Sequence, residues 1–271
     1  MKKKIRIALV GAGAMGGALL RGWLNIGIID AERSCLFDPA LSSDMHGLAT
    51  ANGMSVNPAI GDADVDVLII AIKPQMARAV LPEFSTIAAS AVVVSVMAGT
   101  SVETLAAVLG GAPKLSRVMP NLPASIGKGA SGIFATDAVT SDERAMIDYL
   151  VSAAGSNIWV DHEEAIDFVT AVSGSGPAYF FLLTEALSEA GTALGLSRSD
   201  AEKLARATAI GAGGVLETDE RSAAALREAV TSPGGTTQAA LEVFDGDEKA
   251  LRRLTKKAVE EAAKRARELQ S

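Results

Sequence analysis

Three glycines near the start of the chain, Gly11, Gly13 and Gly16, have the spacing G-x-G-x-x-G. They follow an apolar run at residues 5–10 that predicts a buried strand, and a helical pattern continues after them. In this arrangement the first glycine permits a tight turn, the second lets a pyrophosphate approach the backbone, and the third lets the helix pack close to the strand. The unpaired N–H groups of the helix N-terminus favour phosphate. The glycine motif therefore predicts a dinucleotide site, with a merely tight strand–helix turn as the alternative.

Asp38 comes about 20 residues after the glycine motif, at the end of a predicted second strand. An acid there accepts hydrogen bonds from the adenosine ribose hydroxyls of NAD and repels the 2′-phosphate of NADP. Arg33 precedes that strand and is poorly placed to bind the phosphate. We therefore expect NADH to be favoured over NADPH. The alternative is that Asp38 is only a turn residue before Pro39.

Two further strands end at Lys73-Pro74 and Ala98-Gly99. Open α/β sheets bind their ligands at the carboxyl ends of strands, so Pro74 and Gly99 can shape backbone that touches a cofactor. Ordinary strand-ending turns explain the same residues equally well.

Glycine-rich stretches at residues 172–177 and 230–237 are bordered by predicted helices. Small residues and hydroxyls in such places can form a cup of N–H and O–H donors for a carboxylate. The second stretch, Thr-Ser-Pro-Gly-Gly-Thr-Thr after Val230, combines hydroxyl residues, a proline and two glycines directly before a helix. Helix-capping turns are the alternative for both.

The composition excludes several classes of function. Hydrophobic residues make up 49% of the 271 residues and the net charge is −7, which favours a globular protein and argues against nucleic-acid binding. The single cysteine, Cys35, permits no intrachain disulfide and is expected in the core. The sequence shows no metal-ligand spacing, no serine nucleophile motif and no apolar run of ~18 residues. We expect no metal, no membrane span and a soluble cytoplasmic protein.

The first half of the chain alternates Val- and Ile-rich runs with helical patterns, which is typical of a parallel sheet covered on both faces. After Trp159-Val160 the patterns are helical. The predicted fold is α/β, with a Rossmann-type doubly wound parallel sheet over residues 1–161 and an all-α domain over residues 162–271.

The predicted helix at residues 178–194 is apolar over most of its surface. Such a helix is buried on most sides, and a small helical domain cannot easily bury it alone. We expect a homodimer in which these helices pack against a second chain, making this the dimerisation domain. A central helix in a monomeric bundle is the alternative.

Six segments of the chain resemble those of the pyrroline-5-carboxylate reductase family, the last enzyme of proline biosynthesis, in the family's order. They are the glycine motif and the segments at residues 71–74, 95–99, 117–123, 173–178 and 230–237. The resemblance spans nearly the whole chain, and the last segment, preceded by Leu226 and Arg227, is the most specific.

This resemblance implies reduction of the ring imine of 1-pyrroline-5-carboxylate to L-proline by NAD(P)H, in dimers that sometimes form larger assemblies. It implies that Ser232, Gly234 and Gly235 hold the substrate carboxylate, and that Thr237 is the catalytic residue at the ring nitrogen. Asp38 is a departure, because many relatives carry a small polar residue there, which puts their NADPH preference in doubt. With the motifs, the predicted cofactor-binding residues are Gly11, Ala12, Gly13, Ala14, Met15, Gly16, Asp38, Ala71, Lys73, Pro74, Met97, Ala98, Gly99 and Asn121.

Two other classes of function compete. A β-hydroxyacid dehydrogenase has a similar glycine motif but uses a lysine in the helix after its second glycine motif, and no lysine lies between Lys128 and Lys203. A non-catalytic nucleotide sensor would not need the second glycine turn with Thr236 and Thr237. The sequence leaves the oligomer beyond a dimer, feedback inhibition by proline and activity on related cyclic imines open.

Overall fold

The computed structural model describes residues 4–269, apart from the side chain of Asp62. An eight-stranded sheet with helices on both faces is followed by a helical region. The strands are β1 Ile7–Val10, β2 Cys35–Phe37, β3 Ser55–Val56, β4 Val67–Ile70, β5 Val92–Ser95, β6 Leu115–Met119, β7 Gly129–Ala135 and β8 Gly155–Trp159. The helices are α1 Ala14–Ile26, α2 Ser43–Ala51, α3 Ala77–Val80, α4 Ser85–Ser90, α5 Val102–Val108, α6 Ser141–Ser152, α7 Ala165–Val169, α8 Gly176–Ala193, α9 Arg198–Thr218, α10 Ala223–Ala229, α11 Thr236–Asp245 and α12 Ala250–Glu268.

The sheet has the strand order β3-β2-β1-β4-β5-β6-β7-β8. Strand order reverses between β1 and β4, as in a doubly wound sheet, and the predicted fold class is confirmed. One correction concerns β7, which pairs antiparallel to β6 and parallel to β8, so the sheet is mostly rather than wholly parallel. The sequence prediction also lacked β3, β7 and β8.

Strand β7 contains glycines because neighbouring segments of the chain lie very close to it. A Cβ on Gly132 would lie 2.6 Å from the Cγ2 atom of Val169 in α7. A Cβ on Gly129 would lie 2.7 Å from the carbonyl oxygen of Ala154. Glycine therefore permits this close packing. Because strands are predicted from β-branched residues, the glycines also explain why β7 was not predicted.

Strand β1 shows how the sheet is held between two apolar layers. Its four residues are all buried. Ile7 and Leu9 pack into one hydrophobic cluster, with Trp23 of α1, while Ala8 and Val10 pack into the cluster on the opposite face. Successive strand residues point to opposite faces, so both must be apolar when helices cover both sides.

The chain divides into two compact units. One consists of the residues up to Ser175 together with those from Ala262 onward, and the other is Gly176–Glu261. The domain boundary predicted between residues 161 and 162 stays a prediction, and the compact units divide at different positions.

The glycine-rich stretch at residues 172–177 is not a turn. The residues from Ala165 to Ala193 form one helical stretch, in which Thr170–Gly174 is π-helical and joins α7 to α8. Pro177 lies in the first turn of α8, where its missing N–H is tolerated. The expectation of a turn between two separate helices is therefore wrong at this stretch.

Helix α8 carries large apolar side chains that its own chain leaves exposed. The exposed fractions include 67% for Phe180, 59% for Phe181 and 65% for Leu182. The alternative of a central helix buried within a monomeric bundle is therefore excluded. By length and composition alone the stretch Ala165–Ala193 would also suffice to cross a membrane, which differs from the sequence expectation; core helices of soluble proteins have the same length and composition.

Candidate functional site

The glycine motif forms the turn from β1 into α1. Gly11 has a φ of +90°, and a Cβ there would lie 2.8 Å from the carbonyl oxygen of Ala71. A Cβ on Gly16 would lie 2.2 Å from the carbonyl oxygen of Gly11. The backbone conformation and the close packing of α1 on the strand end therefore require glycine at both positions.

Gly13 differs from these two glycines, because a Cβ there would meet no described atom within 4 Å. It is exposed, and it stands as the N-cap residue of α1, with no side-chain cap among the described residues. The first intrahelical bond is donated by Gly17 to Gly13, so the N–H groups of Ala14, Met15 and Gly16 have no partner within the helix. An open backbone and unpaired donors fit a pyrophosphate at this end of α1.

Asp38 follows β2 and contacts the glycine motif directly. Its carboxylate accepts hydrogen bonds from the N–H of Ala12 at 2.9 Å and from the N–H of Ala40 at 2.9 Å. Asn57 fixes the backbone of Asp38 in both directions, accepting its N–H at 2.9 Å and donating to its carbonyl at 3.1 Å. The half-buried Asp38 is thus both the turn residue and an acid beside the glycine motif.

The ends of β4 and β5 lie on the same edge of the sheet as the glycine motif, because these strands run parallel to β1. Lys73 is exposed, and its ammonium forms no ion pair within residues 4–269. Pro74 begins a short 3-10 turn, and Ala98 is exposed, whereas Met97 is buried. Gly99 has a φ of +65°, and a Cβ there would lie 3.0 Å from the carbonyl oxygen of Leu269.

Asn121 follows β6 and is 8% exposed. Its side-chain Nδ2 donates to the carbonyl of Ser173 at 3.0 Å, and its Oδ1 accepts the N–H of Ala130 at 2.9 Å. Its amide is therefore bound at both ends by backbone. The predicted cofactor contact of Asn121 stays a prediction.

The residues predicted to hold a substrate carboxylate form a tight turn before α11. The N–H of Gly235 donates to the carbonyl of Ser232 at 3.0 Å, Pro233 and Gly234 occupy the corner, and Gly234 has a φ of +69°. This is the chemistry of a type II turn, which needs a positive φ at its third residue. The turn delivers the chain to Gly235, the N-cap of α11.

Helix α11 presents unpaired donors beside this turn. Its first intrahelical bond is donated by Ala239 to Gly235, which leaves the N–H groups of Thr236 and Thr237 without partners in the helix. No side chain caps this end among the described residues, and the hydroxyl of Ser232 is exposed. Hydroxyl and N–H donors at a helix N-terminus suit a carboxylate.

The structure brings the predicted cofactor residues together along one sheet edge. The predicted substrate residues, Ser232 to Thr237, come together in the compact unit Gly176–Glu261. The predicted cofactor residues therefore all lie in one compact unit, and the predicted substrate residues all lie in the other.

Sequence reasoning missed a buried ion pair. Arg117 in β6 is 3% exposed, and its guanidinium donates to the carboxylate of Glu163 at 2.7 Å. The same carboxylate oxygen accepts the N–H of Val102 at 2.8 Å, at the start of α5. The signal that could have found the pair is an arginine within an otherwise buried strand, since a buried charge needs a partner.

Other chemistries find little support in the described residues. No group of three or more His, Cys, Asp or Glu side chains among residues 4–269 is arranged to hold a metal ion. Burial raises the pKa of the Cys35 thiol to about 12, and Cys35 lies in the hydrophobic core as expected. A protonated, buried thiol is a poor nucleophile.

Two family models match the chain. The model described as pyrroline-5-carboxylate reductase dimerisation matches residues 163–269, and the model described as NADP oxidoreductase coenzyme F420-dependent matches residues 6–99. The first supports a dimer, and the second falls on the part of the chain that contains the glycine motif.

Known proteins resemble the chain over nearly its whole length. A pyrroline-5-carboxylate reductase of Pseudomonas aeruginosa is 39% identical over 97% of this chain and 96% of that protein. The structure of a pyrroline-5-carboxylate reductase from Coxiella burnetii is 34% identical with a TM-score of 0.91, covering 99% of this chain and 100% of the other. That of Plasmodium falciparum pyrroline carboxylate reductase, with NADP bound, is 26% identical with a TM-score of 0.81, covering 98% of each chain.

Proposed function

The chain belongs to the pyrroline-5-carboxylate reductase family, and from this premise we propose which of its residues serve the reduction of 1-pyrroline-5-carboxylate to L-proline. The enzyme is an NAD(P)-dependent oxidoreductase of proline biosynthesis. NAD(P)H supplies the hydride when it is bound. The residues that would hold the cofactor lie along one sheet edge and are Gly11–Gly16, Asp38, Ala71–Pro74 and Met97–Gly99, and the unpaired N–H groups at the N-terminus of α1 would bind its pyrophosphate.

The substrate is held through its carboxylate. Ser232, Gly234 and Gly235 form the turn before α11, and the unpaired N–H groups at that helix end donate to the negatively charged carboxylate. The hydroxyl of Thr237 accepts one hydrogen bond from the N–H of the protonated ring nitrogen. A protonated imine is already electrophilic, so the protein has to position its reactants rather than supply a strong acid.

We propose that NADH is preferred over NADPH. The carboxylate of Asp38 is fixed beside the glycine motif by the N–H of Ala12 at 2.9 Å, where an acid favours the ribose hydroxyls and opposes a 2′-phosphate. Arg33 precedes β2, and its guanidinium lies 3.6 Å from the carboxylate of Asp64. The preference for NADH is proposed for this chain alone. The Plasmodium falciparum relative was solved with NADP bound.

We propose a homodimer formed through the exposed apolar face of α8, which can associate further into rings of dimers. The family model that supports dimerisation begins at residue 163 and covers this helix. We also propose a cytoplasmic enzyme that binds neither nucleic acid nor membrane. The net charge of −7 opposes nucleic-acid binding, and the apolar face has a partner in the dimer.

The observation that carries the proposed substrate is the turn from Ser232 to Gly235 at the uncapped start of α11. The test follows NADH and NADPH oxidation with 1-pyrroline-5-carboxylate, and then cofactor reduction with hydroxyacids. Turnover with the imine alone is expected. Turnover with hydroxyacids would favour a β-hydroxyacid dehydrogenase, and turnover with neither would favour a nucleotide sensor.

The variant Ser232→Ala tests whether the turn before α11 binds the substrate. We expect it to raise KM for the imine while leaving KM for NADH unchanged, because its hydroxyl serves the substrate alone. Ser222→Ala is the matched control, since that serine caps the nearby helix α10 through the N–H of Ala225. Equal effects of the two variants on KM for the imine would contradict the assignment.

A further inference from the structure

Asn121 joins two elements that are far apart in sequence. Its Nδ2 donates to the carbonyl of Ser173 and its Oδ1 accepts the N–H of Ala130. Because a carbonyl can only accept and an N–H can only donate, these partners fix the orientation of the amide. The side chain is 8% exposed, so water does not readily replace either bond.

The sequence removes one possible partner of the Ser173 carbonyl. In an α-helix it would accept the N–H of the residue four positions on, which is Pro177. Proline has no N–H. Ser173 lies in the π-helical segment, where bonds run to the fifth residue, so Pro177 removes only the α-helical partner of this carbonyl. The Nδ2 of Asn121 takes the place of that partner as donor.

A second contact places the end of β6 against the same π-helical segment. A Cβ on Gly174 would lie 2.9 Å from the Cε atom of Met119. The glycine thus leaves the space that Met119 fills, two residues before Asn121. The segments 119–121 and 173–174 are complementary in shape and in hydrogen bonding.

We propose that Asn121 is a positioning residue, which holds the backbone after β6 against the π-helical segment and so places the loop beside the reacting ring of the cofactor. This inference rests on the proposed function, because it assigns the loop to the nicotinamide end of the site. Strand β6 runs parallel to β5, so its carboxyl end lies on the sheet edge that carries the glycine motif. In this role the side chain of Asn121 acts through the backbone of its partners, in place of the direct cofactor contact expected from the sequence.

Asn121→Asp tests the link through a single atom. The ionised carboxylate still accepts the N–H of Ala130, but it faces the carbonyl of Ser173 with an oxygen in place of a donor. We expect kcat near pH 8 to fall about tenfold or more, because small displacements of a reacting group are costly. KM for NADH stays within about twofold, since binding of the cofactor does not use this side chain.

Acidification provides a readout that a merely structural role would not give. In Asn121→Asp the introduced carboxyl group, once protonated, can donate its O–H to the carbonyl of Ser173, and burial raises the pKa of that carboxyl group, so kcat relative to wild type should recover as the pH is lowered. Asn52→Asp is the matched control, because Asn52 is an exposed residue at the C-terminus of α2 that also donates to a carbonyl, that of Leu48 at 2.9 Å. Recovery in the first variant alone supports the inference.

A stability cycle keeps the inference testable if Asn121→Asp does not fold. Asn121→Ala should lower Tm, and Pro177→Ala in that background should recover part of the loss, because residue 177 then carries an N–H for Ser173. If the losses of Tm in the two single variants simply add in the double variant, the link between Asn121 and Ser173 is wrong. It is also wrong if kcat of Asn121→Asp stays within about twofold of wild type, or if that variant raises KM for NADH with kcat unchanged. If wild type itself does not turn over the imine, the proposed function is wrong, whereas these outcomes in an active enzyme contradict only the role of Asn121.

Discussion

The guanidinium of Arg117 and the carboxylate of Glu163 form a 2.7 Å ion pair in which the arginine is 3% exposed and the glutamate 23% exposed. The Nε atom of Arg117 is buried without a hydrogen-bond partner among the described residues. Glu163 is therefore the group that compensates a buried charge, and it also accepts the first free N–H of α5.

Removing Glu163 should cost more stability than removing Arg117. Glu163→Ala leaves an uncompensated buried cation and is expected to lower the free energy of unfolding by about 3 kcal/mol. Arg117→Met, which replaces the charge by an apolar chain of similar length, should cost about half as much. Urea unfolding measures both, with the exposed neighbour variant Glu164→Ala as control. The reverse order would contradict the assignment.

The glycines of the motif should separate folding from cofactor binding. Gly16→Ala places a Cβ 2.2 Å from the carbonyl oxygen of Gly11 and should destabilise the fold by about 3 kcal/mol. Gly13→Ala meets no described atom and should leave Tm nearly unchanged, yet raise KM for NADH about tenfold or more, a loss of about 1.4 kcal/mol in binding. Thermal unfolding and steady-state kinetics on the same samples give both values. Unchanged KM in Gly13→Ala would place the pyrophosphate elsewhere.

Asp38→Ser should shift the cofactor preference toward NADPH. The substitution removes a carboxylate beside the ribose while a hydroxyl can still accept the N–H of Ala12. The ratio of kcat/KM for NADPH to that for NADH should rise about tenfold or more, equivalent to about 1.4 kcal/mol. Asp44→Ser controls for the loss of a surface acid, because Asp44 is exposed and pairs with Arg21. No gain with NADPH would mean that Asp38 is a turn residue alone.

Thr237→Val should weaken the transition state by about 1–3 kcal/mol, because it leaves a polar group of the substrate without its partner. The loss is measured as kcat/KM for the imine. Thr236→Val provides the control, since Thr236 is the adjacent, exposed first residue of the same helix. Activity of Thr237→Val within twofold of wild type would end the proposed role.

The Cys35 thiol makes stability depend on alkaline pH. Burial raises its pKa from the ordinary value of 9.0 to about 12, so the folded chain holds its proton over a range in which the unfolded chain has released it. This contribution to stability is present below about pH 9 and is lost as the pH rises toward about 12. The loss should be smaller in Cys35→Ala. A thiol reagent should modify Cys35 only after unfolding, and rapid labelling of the native enzyme would contradict its burial.

The parts of the fold that could be predicted are those whose signals are local. The strands ending before Gly11, Asp38 and Lys73 are continuous apolar runs, and the glycine motif follows the first of them. Strand β7 could not be predicted from local sequence. Its residue Gly132 is required by the close approach of Val169 in α7, a contact that is distant in sequence.

The candidate site also combines parts that follow from local sequence with parts that depend on contacts distant in sequence. The turn at Ser232–Gly235 follows from its own Pro-Gly pair. The π-helical segment does not, since the donor for Ser173 comes from Asn121 across the fold.

In the proposed dimer, which is formed through the exposed apolar face of α8, the stability of the enzyme depends on the concentration of chains. A dimer held by such a face dissociates on dilution, and each tenfold decrease in chain concentration removes about 1.4 kcal/mol from its assembly. Tm should therefore rise with concentration, and the unfolding free energies of two variants can be compared only at one concentration of chains.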